Sequence, residues 1–216
     1  MLHKGRRAAG AAAGGLTEFA YVTNSTGLTS TTSTHTVSFG TADTNRHIIV
    51  AQSNGNGRTV SSLTIGGVTA TELVAFGSSN QRVRIWIAAV PTGTSGDVVI
   101  THSGSPLYSN VSIYRMVHSN YTGALDTAGA DHSSGVVDLP IDTVAGGALV
   151  AVTQSNNGGT ATWANATEDV DVDAGTNDYF STASDPSTGL ATNLALSMTS
   201  SDTTPNLLPG CAASFS

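Results

Sequence analysis

The stretch Arg82-Val-Arg-Ile-Trp-Ile-Ala-Ala-Val90 decides the fold class of this chain. Its side chains alternate between two faces, which is the period of a β-strand rather than the period of about 3.6 residues that a helix requires. The apolar face carries Val83, Ile85 and Ile87, and the opposite face carries Arg82, Arg84 and Trp86. We therefore predict a strand over this stretch.

Strand patterns recur along the rest of the chain. No window of about a dozen residues keeps the apolar spacing of an amphipathic helix. His47-Ile-Ile-Val-Ala51 is a continuous apolar run, typical of a strand buried on both faces. Gly66-Gly67 separates two further strand patterns, residues 63–65 and residues 68–76, and predicts a hairpin turn between them. Further strands are expected at residues 34–39, 63–65, 68–76, 97–101, 111–117, 136–141, 148–153, 167–173, 193–198 and 212–215. This pattern predicts an all-β fold, an antiparallel β-sandwich that is jelly-roll-like.

The chain repeats short patterns at a separation of about a hundred residues. The segment from Ile48 to Gly57 resembles the segment from Val150 to Gly159, since each contains Gln-Ser-Asn after an apolar run. Two further pairs are Ala70-Thr71-Glu72 with Ala166-Thr167-Glu168, and Val90-Pro-Thr-Gly93 with Asp185-Pro-Ser-Thr-Gly189. We expect two pseudo-repeated halves, at about residues 30–120 and 130–216. A duplication within one sandwich is the first interpretation, and two tandem small sandwiches are the alternative, with residues 120–136 as the link.

The charges are distributed unevenly. The chain carries eight Lys and Arg against fifteen Asp and Glu, for a net charge of −7. Lys4, Arg6 and Arg7 lie in the first seven residues, so the remainder carries five basic residues against fifteen acidic ones, a net charge of −10. An acidic body argues against nucleic-acid binding by the domain itself. We expect an extended basic arm, rich in Gly and Ala, at residues 1–16 and a β-sandwich domain at residues 17–216.

The arm is a candidate for binding a partner. Its candidate contact residues are Leu2, His3, Lys4, Arg6 and Arg7. A solvated tail is the alternative, because chain termini are often not tied down. Ala8 to Gly15 contains only Ala and Gly, so it lacks the apolar run of a signal peptide. No stretch approaches the ~20 apolar residues of a membrane span, and the single Cys211 excludes an internal disulfide.

Two longer stretches resemble known proteins. They are Arg58-Thr-Val-Ser-Ser-Leu-Thr-Ile-Gly-Gly-Val-Thr-Ala-Thr71 and Ile87-Ala-Ala-Val-Pro-Thr-Gly-Thr-Ser-Gly-Asp-Val-Val-Ile100. Together with Ala161-Thr-Trp163 and Thr167-Glu168, they are similar to a pattern in virion-associated proteins of tailed bacteriophages, over roughly residues 30–200. The resemblance implies a β-sandwich attached to a capsid or tail as a decoration, fibre or accessory protein. It implies no catalytic residues, and the arm is not part of it.

The acidic stretch from Glu168 to Asp178 is a candidate calcium site. Calcium binds several hard oxygens, and five acidic residues lie within these eleven positions. In a strand, Asp169, Asp171 and Asp173 would project from one face, at a spacing of roughly 7 Å. The alternative is a solvated strand face that discourages edge pairing. Position 180 is Phe, so the bidentate Glu of an EF-hand is missing.

Arg82, Arg84 and Trp86 are a candidate surface for a protein partner or a glycan. Arg and Trp are favoured at protein interfaces, and the amphipathic Trp ring offers a flat face for stacking. The alternative places Trp86 in a second layer of the core, because large aromatic side chains are usually mostly buried. A carbohydrate-binding module, with Trp86, Trp163 or a tyrosine as a stacking platform, is the alternative function.

No pattern of residues indicates an enzyme. None of the six histidines has a metal-ligand partner two or four positions later. Asp131-His132-Ser133 has the residue types of a catalytic triad, but adjacent side chains of an extended chain point apart. Asp126 and Asp131 are the residue types of a glycosidase carboxylate pair. The residues therefore predict a non-enzymatic protein with no cofactor. The resemblance to virion-associated proteins implies a structural protein of a virion that binds other virion proteins and copies of itself.

Overall fold

The structure is a computed structural model and describes residues 16–78, 80–132, 134–155, 157–175, 178–201 and 208–216. Over these ranges the chain is all-β, with seventeen strands whose pairs are antiparallel, which confirms the predicted fold class. In the same ranges no helix is long and apolar enough to cross a membrane. All the predicted contact residues of the arm lie outside these ranges, and Leu16, the last residue of the predicted arm, belongs to the first strand.

The first half of the chain forms nine strands. They are β1 (Leu16–Ser25), β2 (Thr32–Ser38), β3 (Arg46–Gly55), β4 (Val60–Ile65), β5 (Val68–Thr69), β6 (Thr71–Gly77), β7 (Gln81–Ala89), β8 (Ser95–His102) and β9 (Ser109–His118). The turn between β4 and β5 is the predicted hairpin. Gly66 and Gly67 have φ angles of 58° and 81°, a left-handed conformation that favours glycine at both central positions.

The second half forms eight strands. They are β10 (Asp126–His132), β11 (Val136–Thr143), β12 (Gly147–Ser155), β13 (Ala161–Ala164), β14 (Thr167–Gly175), β15 (Asp178–Thr188), β16 (Ala191–Ser200) and β17 (Leu208–Phe215). Four strands of the structure, β1, β10, β13 and β15, lie outside the runs that the apolar pattern predicts as strands.

The strand order of the second half repeats that of the first. Inner sheet 1 has the order β1-β9-β3-β7-β6, and outer sheet 1 has the order β2-β8-β4-β5. Inner sheet 2 has the order β10-β17-β12-β15-β14, and outer sheet 2 has the order β11-β16-β13. The strands of each half pair only with strands of the same half. Each half therefore builds its own pair of sheets.

Three clusters of buried side chains join the four sheets into one stack. Ile48 and Val50 of β3 face outer sheet 1, and Leu149 and Ala151 of β12 face outer sheet 2. A central cluster joins the two inner sheets, where residues such as Ile49 and Ile85 meet Val150 and Phe215. The layers follow in the order outer sheet 1, inner sheet 1, inner sheet 2, outer sheet 2. The arrangement combines both sequence-based alternatives, since each half forms its own sandwich and the halves share a core.

A bulge occurs at the same place in both halves. In β6 the pairing with β7 shifts after Glu72, so Leu73 is the extra residue. In β14 the pairing with β15 shifts after Glu168, so Asp169 is the extra residue. The Thr-Glu pairs that the sequence repeats therefore occupy equivalent positions. A bulge turns its extra side chain away from the regular alternation of the strand.

The repeated Gln-Ser-Asn pattern does not occupy equivalent faces. Gln52 of β3 shares its face with Val50, which packs against outer sheet 1. Gln154 of β12 shares its face with Val152, which packs in the central cluster. A register slip of one residue moves every side chain of a strand to the opposite face. The two segments are therefore similar in sequence, but their matching residues face opposite sides of their inner sheets, as a shift of one residue would produce.

Candidate functional site

The face predicted to carry Arg82, Arg84 and Trp86 is turned towards outer sheet 1. Arg84 is 3% exposed, and its Nη1 donates hydrogen bonds to Oδ1 of Asn54 at 2.8 Å and Oε1 of Gln52 at 3.3 Å. Its Nε lies 3.3 Å from Oε2 of the partly exposed Glu72. Burial lowers the pKa of Arg84, and Glu72 raises it. Arg84 therefore holds the polar end of the first sandwich together and is not presented to a partner.

Neither tryptophan offers an exposed ring. Trp86 and Trp163 are each 9% exposed, and they lie in the clusters beneath outer sheets 1 and 2. The indole N–H of Trp163 donates a hydrogen bond to Oγ of Ser181 at 2.8 Å. Of the predicted surface only Arg82 is partly exposed, and its Nε donates to the carbonyl of Ser78. The stacking platform expected of Trp86 or Trp163 is thus inside the protein.

The prediction that Asp169, Asp171 and Asp173 share one strand face is wrong. Oδ2 of Asp169 accepts a hydrogen bond from the hydroxyl of Tyr114 in inner sheet 1, at 3.0 Å. Oδ2 of Asp171 accepts one from the backbone N–H of Ala161 in outer sheet 2, at 3.3 Å. Inner sheet 2 lies between these two partners, so the carboxylates point to opposite sides. The cause is the bulge at Asp169, which reverses the alternation.

The carboxylates of Asp169 and Asp171 therefore do not point to a common site. In the part of the chain that the structure describes, no group of three or more His, Cys, Asp or Glu side chains could hold a metal ion. Burial raises the pKa of Asp169, while hydrogen bonds from Ser184 and Tyr114 oppose that rise. Burial also raises the pKa of Asp171. These carboxylates act as structural hydrogen-bond acceptors in the observed arrangement.

The carboxylate pair that suggested glycosidase chemistry is too widely separated. Asp126 and Asp131 lie five residues apart on β10, a separation of about 17 Å along a strand. Paired glycosidase carboxylates are separated by roughly 5–9.5 Å, so this pair does not fit. Oδ2 of Asp126 instead accepts a hydrogen bond from the backbone N–H of Asp142. Ser133 and the side chain of His132 lie outside the described residues.

A groove opens at one end of the second sandwich. Its volume is about 530 Å³, within the range of roughly 300–1,000 Å³ that is usual for ligand sites. Ala166 and Leu194 form its apolar floor and also pack against the cluster between inner sheet 2 and outer sheet 2. Leu190 stands on its rim and is 75% exposed, more than any other large hydrophobic side chain among the described residues. The groove therefore offers apolar surface that the described chain leaves uncovered.

The turn between β15 and β16 positions the rim of the groove. Oγ1 of Thr143 donates a hydrogen bond to the carbonyl of Gly189 at 2.7 Å, and Oγ1 of Thr188 donates one to the carbonyl of Val144 at 2.7 Å. These two bonds fix the turn to the end of β11. Oδ1 of Asp185, a residue of the groove lining, accepts the backbone N–H of Ser187 at 2.9 Å. The groove thus has a rigid frame with one carboxylate in its wall.

Space in front of Gly189 is empty. A Cβ atom added at this glycine would meet no heavy atom within 4 Å. Sequence reasoning missed the groove because its lining comes from three separate parts of the chain, residue 143, residues 165–167 and residues 185–194. The one local signal was an isolated leucine, Leu190, in a polar turn that follows Asp185-Pro-Ser-Thr-Gly189.

The groove lies in the acidic half of the protein. Residues 116–216 contain eleven of the fifteen acidic residues and no Lys or Arg. Residues 1–15 contain three basic residues and no acidic one. Opposite ends of one chain therefore carry opposite charge.

No protein-family model matches the sequence, and a comparison with curated proteins finds no significant match.

Proposed function

We propose that the protein is a structural component of a tailed-bacteriophage particle that attaches to the capsid or the tail through its N-terminal arm. The proposal rests on the resemblance of residues 58–71 and 87–100 to virion-associated proteins. In the fold these residues form β4, β5, the end of β7, most of β8 and the connection between β7 and β8, which are scaffold elements. The role that follows is a capsid decoration or a head or tail accessory protein, located in the virion and without enzymatic activity or a cofactor.

The position of β1 is the observation that carries the proposal. Leu16 pairs with His118 at the edge of inner sheet 1, so the chain that precedes it joins the fold at an edge strand. An edge strand has a neighbour on one side only, and chain that leads into it does not have to cross the core. The four packed layers supply a stiff body for attachment. The natural partners of such a body are copies of the protein and other virion proteins.

The shared strand order supports a duplicated jelly-roll origin. In each half, most connections cross between an inner and an outer sheet, the exceptions being β4 to β5, β6 to β7 and β14 to β15, and the order of pairing matches apart from the additional β5. Alternation between two sheets is how a jelly roll closes a β-sandwich. We therefore propose that each half is one jelly-roll-like unit and that the two arose by duplication.

The carbohydrate-binding alternative has no comparable support. Its two tryptophan candidates for a stacking platform, Trp86 and Trp163, are both buried.

The test is to neutralise the arm and follow incorporation into particles. In one full-length variant Lys4, Arg6 and Arg7 are replaced by Gln, and a second variant lacks residues 1–15. Circular dichroism and the urea midpoint verify that each variant is folded. Purified particles should take up the parent chain and at least tenfold less of either variant. Uptake equal to that of the parent by folded variants would refute attachment through the arm.

A further inference from the structure

We propose that the groove at the end of the second sandwich binds the N-terminal arm, residues 1–15, supplied by a neighbouring copy in the assembly. This inference rests on the proposed function and names the partner of the arm. Three independent features of the chain converge on the same contact: the chemistry of the groove, the distribution of charge, and the place where the arm joins the fold.

The groove fits a segment made of small residues. Its floor is apolar at Ala166 and Leu194, and its rim carries the exposed Leu190. The arm contains Leu2 and the run of Ala and Gly from Ala8 to Gly15. Alanine and glycine let a backbone approach a surface closely, and Leu2 offers one larger apolar side chain. Burying an exposed leucine against such a segment removes apolar surface from water, which favours binding.

The charges match in sign. The arm brings Lys4, Arg6 and Arg7 to a half of the protein that has eleven acidic residues and no basic one. Asp185 lies in the wall of the groove itself, and Glu168 follows the lining residue Thr167. Complementary charge steers association and fixes orientation, and its effect declines over a Debye length of about 8 Å at 0.15 M salt. Binding should therefore weaken as salt is added.

The arm joins the fold at the end of the stack where the groove opens. The ring of Phe19, near the start of β1, lies 6.3 Å from the ring of Phe215. Phe215 in turn pairs beside Gly147, and Gly147 pairs with Thr188 in the turn that frames the groove. Fifteen extended residues span at most about 50 Å. A chain's own arm is therefore long enough to reach the groove of the same chain, and it competes there with the arm that a neighbouring copy supplies.

The test measures binding of a labelled peptide of residues 1–15 to the full-length chain by fluorescence anisotropy. The receptor carries Lys4→Gln, Arg6→Gln and Arg7→Gln, so that its own arm competes weakly. We expect this receptor to bind the peptide at least threefold more tightly than the unaltered chain does. Raising the salt from 50 mM to 500 mM should weaken binding at least fivefold.

Gly189→Phe in this receptor fills the groove, and we expect at least a tenfold loss of affinity. Gly158→Phe is the matched control, because Gly158 also lies in the second half and has no heavy atom near its Cβ position. Leu190→Ser should weaken binding by about a factor of ten, whereas Leu107→Ser, at another exposed leucine, should leave it unchanged. Asp185→Asn should weaken binding about threefold.

Equal affinities of the Gly189→Phe and Gly158→Phe receptors would overturn the inference. Its failure is distinguishable from failure of the proposed function. Neutralising the arm could prevent uptake into particles while Gly189→Phe leaves peptide binding unchanged. The arm would then act at another site, and only the inference about the groove would be refuted. If the peptide binds the groove but neutralising the arm does not change uptake, the inference stands and the virion attachment falls.

Discussion

The hydroxyl of Tyr114 donates a hydrogen bond to Oδ2 of Asp169 at 3.0 Å, across the interface between the two inner sheets. Tyr114 is fully buried in inner sheet 1, and Asp169 is the bulge residue of β14 in inner sheet 2. Burial raises the pKa of both groups, and Asp169 contributes to the rise at Tyr114. Ionisation of the Asp169 carboxyl group at this contact between the halves is therefore unfavourable.

Replacing Asp169 with Asn should stabilise the protein at pH 7. The folded-state pKa of Asp169 is raised, so its favourable contribution is complete below the unfolded value of about 3.8 and is lost as the pH rises through the folded value. Asparagine keeps the size and the acceptor but removes the charge. Urea denaturation should show a larger free energy of unfolding for the variant at pH 7, and the gain should vanish near pH 3.

Asp97→Asn is the matched control, because Asp97 is an exposed carboxylate that accepts a hydrogen bond from Thr36 at the surface of outer sheet 1. An Asp169→Asn gain that is as large at pH 3 as at pH 7 would contradict the assigned cause.

Arg46 should tolerate no replacement, not even by lysine. It is fully buried, and its guanidinium donates hydrogen bonds to six backbone carbonyls at 2.7–3.2 Å. Those carbonyls belong to two loops, residues 39–41 and 90–93. An ammonium has three donors and no planar fork, so Arg46→Lys leaves several carbonyls without a partner. We expect a loss of about 3 kcal/mol in the free energy of unfolding, measured in urea.

Arg82→Lys is the control for Arg46, since Arg82 is partly exposed and its Nε donates one bond, to Ser78, at 3.2 Å. Its cost should stay below about 1 kcal/mol. Similar losses in the free energy of unfolding for Arg46→Lys and Arg82→Lys would contradict the stabilising role of the buried guanidinium.

Gly129 should be intolerant of alanine because it lies against Phe76 of the other half. A Cβ atom at Gly129 would lie 2.5 Å from Cδ2 of Phe76 and 2.9 Å from its Cγ, closer than real Cβ contacts allow. Gly129→Ala should cost roughly 1–3 kcal/mol as an overpacking change. Adding Phe76→Leu should recover part of the loss, because the smaller side chain makes room.

Gly158→Ala, at an open position, is the control for added side-chain volume and should be nearly neutral. Additive losses in the Gly129→Ala and Phe76→Leu pair would show that the two residues do not touch, which would contradict the packing of β6 against β10.

Cys211 should report opening of the central interface. It is fully buried in the cluster between the inner sheets, and burial raises the pKa of its thiol. A thiol reagent needs an accessible thiolate, so the native protein should react only through unfolding. The labelling rate should rise with urea in parallel with the unfolded fraction, whereas a cysteine introduced at the exposed Ser61 should react at once. A rate for Cys211 that is independent of urea would indicate that the two halves separate locally.

The apolar pattern was sufficient for the fold class but not for all strands. β15 was missed because Ser181, Thr182 and Ser184 give it a polar sequence, although all three side chains are buried. Two of these hydroxyls have partners from other sheets: Ser181 accepts from Trp163, and Thr182 lies 3.0 Å from the hydroxyl of Ser112. A buried hydroxyl that is satisfied by a distant strand leaves no local signal. β10 was missed because its small residues form no apolar run, although Gly129 lies against Phe76 and the alanines Ala128 and Ala130 pack against the cluster beneath outer sheet 2.

The candidate sites were harder to predict than the fold. Alternation predicted correctly that Val83 and Trp86 face opposite ways, but it could not say that a second sheet covers each face. The acidic stretch failed as a site because one bulge residue, Asp169, breaks the alternation. The groove depends on turns that meet only after both sheets of the second sandwich have formed. Long-range packing decides each of these outcomes, and sequence spacing does not contain it.

Because the two halves share a strand order, the number of sandwiches in an assembly differs from the number of chains. Each chain contributes two sandwiches, but it has a single N-terminal segment and a single acidic half. A ring of three chains would therefore show six sandwich-shaped densities in outline while having three attachment points. In images at low resolution such a ring would mimic sixfold symmetry, and the difference between the halves would emerge only when their surface charge or their side chains are resolved.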